Sequence, residues 1–111
     1  MRGASLATVA LIVLLAGCGG SSAPAVTRPA VQLTPQEKLG KQLFVRNCGS
    51  CHALADAGTN GSAGPTLDSH PWRAVYVREV IASGPGLMPD KLLTGAQADA
   101  VAAYVAAVSR R

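Results

Sequence analysis

The stretch Cys48-Gly49-Ser50-Cys51-His52 decides how this chain is read, because it gathers two thiols and an imidazole within five residues. On one turn of helix, Cys48 and Cys51 stand three apart on one face and His52 follows at i+4 from Cys48, so all three can address one flat ligand. The pattern Cys-x-x-Cys-His is the attachment signal of c-type haem, in which two sulfurs form thioethers with the vinyl groups and the imidazole reaches the iron from one side. Other readings of the pair are weaker. A structural zinc site needs four ligands, and the remaining cysteine, Cys18, stands in an apparent export signal. A thioredoxin-like pair needs a βαβ setting, which the flanking residues do not supply. A disulfide between Cys48 and Cys51 stays open but leaves His52 unexplained.

A haem iron held by one histidine needs a sixth ligand or an open site, and a His/Met pair is the arrangement that raises the reduction potential for electron transfer. Met1 is the initiator, which leaves Met88, in Ser83-Gly84-Pro85-Gly86-Leu87-Met88-Pro89-Asp90. Glycines and prolines make this a stiff, turn-forming loop able to hold a thioether at a fixed place. His70 is the rival ligand. It stands just before Pro71-Trp72, where a helix is expected to start and where polar residues commonly sit for local reasons.

Three helices are expected. The first starts at Thr34-Pro35-Gln36-Glu37, with Thr34 as N-cap, Pro35 in the first turn and Glu37 closing a capping box; Leu39, Leu43 and Phe44 mark its buried stripe, and Gly40 allows close approach. The second covers about 71–82, with Trp72, Val75, Tyr76, Val80 and Ile81 apolar and Gly84 as stop. The third opens at Thr94-Gly95-Ala96-Gln97, again box-like, and carries Val101, Tyr104, Val105 and Val108 at helical spacing. Between His52 and Pro71 the Gly, Asn, Ser and Asp content reads as loop. The fold class expected is all-α.

The motif Cys48 to His52, then Gly64-Pro65-Thr66-Leu67-Asp68, then Tyr76 through Gly84 leading to Leu87-Met88-Pro89, and finally Ala103-Tyr104-Val105, resembles the small bacterial class I cytochromes c in order and spacing. The resemblance runs from Leu33 to about Ser109. It implies three main helices and loops wrapped around one covalent haem c, with Cys48 and Cys51 carrying the thioethers, His52 the proximal iron ligand and Met88 the distal one. It further implies that the Pro65 carbonyl orients the imidazole of His52, and that Gly40 and Phe44 pack against Tyr104. The segment between His52 and Met88 is shorter than in longer members of the family.

At 111 residues the chain allows one domain. Arg2 precedes an almost wholly apolar run over 6–16, too short for a membrane span and shaped like a secretory signal. Leu15-Ala16-Gly17-Cys18 resembles the bacterial lipoprotein box, so residues 1–17 are expected to be cleaved and Cys18 to be acylated. Several acyl chains give stable membrane attachment where one gives only marginal binding. Residues 18–33, rich in Gly, Ser, Pro and Ala, read as a tether whose r.m.s. span is roughly 20 Å, and residues 34–111 as the cytochrome domain. The expected location is therefore the periplasm or the outer side of the cytoplasmic membrane.

A formal net charge of +4, with basic residues scattered among acidic ones, gives no like-charge block or aromatic interleaving, so no nucleic acid is expected as a partner. The expected function is a non-enzymatic, monomeric carrier of single electrons between a redox donor and an acceptor at the membrane, anchored in the bilayer through Cys18 and taking no small-molecule substrate. A subunit of an oxidase or dehydrogenase complex, or a five-coordinate haem enzyme or gas-binding protein, are the alternatives.

Overall fold

The computed structural model describes residues 19–20 and 29–109; the expected signal segment, Cys18 and most of the tether lie outside them. Helix α1, Pro35–Asn47, starts as its sequence dictates. The Glu37 amide donates to Thr34 Oγ1 at 3.2 Å while the Thr34 amide donates to Glu37 Oε2 at 2.8 Å, which satisfies two amides that helix geometry would otherwise leave bare.

Helix α3, Gly95–Val108, is buried almost all round, with Val101, Tyr104, Val105 and Val108 each 3% exposed or less. It crosses α1 at Gly40, where a methyl group would collide with the Ala100 carbonyl and lie 2.7 Å from Tyr104 Cβ. The absent side chain is what lets the two backbones meet. One turn on, Phe44 meets the Tyr104 ring edge-on, with centroids 6.0 Å apart. Burying each of these rings contributes about 1.5–3 kcal/mol, and the edge-to-face geometry adds about 1 kcal/mol.

Because Gly40 and Phe44 occupy the seam, Leu39 is turned about 100° away from it and stays 46% exposed, outside the stripe expected of it. The Tyr104 hydroxyl donates to Asp56 Oδ2 at 2.8 Å, and Lys41 Nζ lies 3.2 Å from the same oxygen. Asp56 belongs to a 3-10 turn, Ala55–Ala57, which this contact fastens to both helices.

Helix α2 covers Ala74–Ser83, three residues later than expected. Residues 71–73 are taken up otherwise: the Trp72 amide donates to the buried Ser109 hydroxyl at 3.2 Å, its indole Nε1 donates to the Leu67 carbonyl at 3.1 Å, and Arg73 is extended. Thr94 precedes α3 but makes no capping bond through its side chain, contrary to the box expected there. Gly95 is left-handed (φ +54°), so the chain enters the helix from a direction that does not deliver the hydroxyl to the third amide. The expected loop after His52 holds a two-stranded antiparallel ribbon, β1 (Ala53–Leu54) and β2 (Thr59–Asn60). The architecture is all-α apart from this ribbon.

Candidate functional site

Helix α1 runs directly into the attachment motif: Cys48 is its C-cap residue, and its amide donates to the Phe44 carbonyl at 2.8 Å. The Cys48 carbonyl then accepts from the Cys51 amide at 3.1 Å and from the His52 amide at 2.9 Å, so the motif occupies one helix-like turn. Cys48 is buried and Cys51 exposed, and no disulfide joins them. Burial pushes the Cys48 thiol up to about 11, with the neighbouring Cys51 adding to the shift. Among the described residues, no three His, Cys, Asp or Glu side chains converge on a metal-sized site. The zinc and disulfide readings therefore find no support.

The motif opens onto a cavity of about 470 Å³ whose walls include Phe44, Leu67, Trp72, Ile81 and Val101, and whose lining also contains Cys48, Cys51, His52 and Met88. Among the described residues, no carboxylate, lysine or arginine lines it. Cofactor pockets span about 300–1,000 Å³ and are mostly apolar, with few polar groups of fixed orientation. His52 is such a group. Its Nδ1 lies 2.9 Å from the Pro65 carbonyl, and a carbonyl can only accept, so in the neutral imidazole Nδ1 carries the proton and Nε2 keeps its lone pair.

The strap that bears this carbonyl, residues 64–68, is stitched to residues 51–55. The Gly64 amide donates to the Cys51 carbonyl at 2.8 Å, the Leu67 amide donates to the Ala53 carbonyl at 2.9 Å, and the Asp68 carboxylate accepts from the Ala55 amide at 2.9 and 3.1 Å. Gly64 lies flat on the imidazole. A methyl group there would come within 2.8 Å of Nδ1 and 3.0 Å of Nε2.

Met88 is presented by the turn after α2. Gly84 ends that helix in the left-handed region (φ +58°) and Gly86 repeats the conformation, while the Lys91 amide donates to the Ile81 carbonyl at 3.0 Å and closes the loop at its neck. His70 is exposed and does not line the cavity; it stands edge-on to Trp72, with ring centroids 4.7 Å apart. Tyr76 is half exposed; it lines the cavity and stacks on Trp72 at 5.6 Å. Cys18 lies outside the described residues.

Sequence reasoning assigned no role to Thr59, Asp68 or the Asp56 contact. Polar residues in a glycine-rich stretch carry no periodicity, and only the folded ribbon shows what they hold.

A buried thiol and an exposed one on a single turn, an imidazole with a fixed tautomer, and a thioether beside the same apolar cavity together fit a haem held by two sulfurs. A family model described as cytochrome c oxidase, cbb3-type, subunit III matches residues 35–105. Among solved structures, the c-type cytochrome SorU from Sinorhizobium meliloti is similar, with 37% sequence identity and a TM-score of 0.62 over 67% of this chain and 91% of that one. No curated protein sequence matches the chain. The chain belongs to the cytochrome c family matched over 35–105, as a small class I mono-haem member with covalently bound haem c.

Proposed function

We propose that this cytochrome is a non-enzymatic electron carrier whose haem is held by Cys48 and Cys51, with His52 and Met88 as the axial ligands. The observation that carries the reading is the bond from His52 Nδ1 to the Pro65 carbonyl, made beside a cavity that Met88 also lines. It leaves Nε2 free for iron and makes the imidazole a more basic ligand. When bound, haem c supplies a one-electron ferric/ferrous couple. His52 would hold the iron through Nε2 and Met88 through its thioether sulfur, the ligand pair suited to electron transfer. Phe44, Leu67, Ile81 and Val101 make the wall apolar, and among the described residues no carboxylate, lysine or arginine lines it, which supports a carrier over an acid-base catalyst.

Substituting Met88→Ala tests this. The ferric wild type should show the weak far-red absorption band of thioether-ligated haem, and the variant should lose it, bind carbon monoxide in the ferrous state and have a lower reduction potential. A wild type that lacks the band and binds carbon monoxide rapidly would favour the five-coordinate enzyme or sensor.

The carrier is further proposed to be exported, anchored in the bilayer by acylation of Cys18 and monomeric, passing electrons between a donor and an acceptor protein at the membrane. The apolar run over 6–16 and the lipoprotein-like box before Cys18 support this. Mass spectrometry of the mature chain reads both haem addition and acyl mass. The family description favours a second reading, a fixed haem subunit of an oxidase complex. Co-purification of other subunits after mild detergent extraction would distinguish it from a free carrier.

A further inference from the structure

We infer that Thr59 is a positioning residue for the axial imidazole, acting on the main chain of His52 while Pro65 acts on its ring. The inference rests on His52 being the iron ligand, as proposed above. Thr59 Oγ1 donates to the His52 carbonyl at 2.9 Å and accepts from the Leu54 amide at 3.1 Å, so one hydroxyl closes the chain on both sides of Ala53. Its methyl group faces the attachment turn itself. A methyl group placed on Gly49, between the two cysteines, would lie 2.5 Å from Thr59 Cγ2.

The side chain thus touches the thioether-bearing turn with carbon and the ligand's own backbone with oxygen. Every rotation of the His52 ring about its side-chain bonds starts from a Cα that this hydroxyl holds in place. The His52 amide is already held by the Cys48 carbonyl at 2.9 Å. The Thr59 hydroxyl holds the other side of the same Cα, at the carbonyl, and the Pro65 carbonyl holds the ring at Nδ1.

Two substitutions separate positioning from packing. Thr59→Val keeps the shape and removes the hydroxyl; Thr59→Ser keeps the hydroxyl and removes the methyl. The measurements, made on the haem-loaded protein, are the ferric electron paramagnetic resonance g-values, the hyperfine-shifted haem methyl resonances in NMR and the thermal midpoint. The expected result is a shifted g-maximum and displaced or doubled methyl resonances in Thr59→Val. Thr59→Ser should keep the wild-type signature even though its thermal midpoint falls.

A Thr59→Val protein with wild-type g-values and methyl resonances would overturn the inference alone, leaving Thr59 as a packing residue. A wild type with no axial-histidine resonances would overturn the ligand reading and this inference together.

Discussion

At His52 the side chain's tautomer is set by a neighbour that cannot donate, and Gly64 is the residue that allows it. Replacing Gly64 by Ala places a methyl group against the ring, so either the imidazole or the strap has to move. The expected result is a loss of about 1–3 kcal/mol of stability and a higher reduction potential, because a weaker bond from Nδ1 makes a less basic ligand and favours ferrous iron. Thermal melts and redox titration read the two effects separately. Tyr104 offers a second test at this scale. Its hydroxyl donates to Asp56 from a fully buried ring, and Tyr104→Phe should cost about 1.5–3 kcal/mol, the usual worth of a hydrogen bond to a charged group.

Helix α1 was legible in nearly every respect, since Thr34, Pro35 and Glu37 are start signals that act through neighbours three residues away. Thr34→Ala should therefore cost only about 1 kcal/mol. Gly40→Val should cost several times as much, because it opposes the Ala100 backbone, and comparison of the two denaturation midpoints checks the ranking. Local signals failed where a distant partner intervened. The start of α2 moved to Ala74 because Trp72 finds the Ser109 hydroxyl, thirty-seven residues away along the chain. The ribbon over residues 53–60 was read as loop because two-residue strands are too short to show alternation. The candidate site was clearer still, as Cys48, Cys51 and His52 lie in one turn and Met88 is the chain's only methionine besides Met1. What the sequence could not disclose was the stitching around them, which joins residues that no spacing rule connects.

For the molecule as a whole, the question is what replaces a large core. The chain has one Phe, one Trp and two Tyr, and α3 fills much of its contact surface with alanine, so the apolar area that protein groups alone can bury is small. The Cys48→Ala/Cys51→Ala chain is expected to be largely unfolded by circular dichroism; native helix content without haem would contradict this. In the haem-free chain with its cysteines intact, Cys48 adds a dependence on pH. Burial, with the neighbouring Cys51 adding to it, pushes its thiol from the ordinary 9.0 up to about 11. The stability tied to keeping it neutral is therefore complete below 9.0 and falls away as pH rises toward 11, by at most about 3 kcal/mol. Residual helix followed through that window should decline in the haem-free chain, whereas a thioether has no proton to lose.

The two proposed iron ligands, His52 and Met88, are anchored over very different stretches of chain. The imidazole sits in a segment, residues 48–68, that is stitched to itself by several bonds and fastened outward through Phe44, Lys41, Tyr104 and Trp72, whereas the sulfur is carried on a separate loop closed at its neck by the bond between Lys91 and Ile81. The coordination proposed for this cytochrome would thus be lopsided in durability: gentle perturbation should release the methionine side first and leave the histidine side in place. In a denaturant titration, the far-red band should fade at a lower concentration than the helical signal.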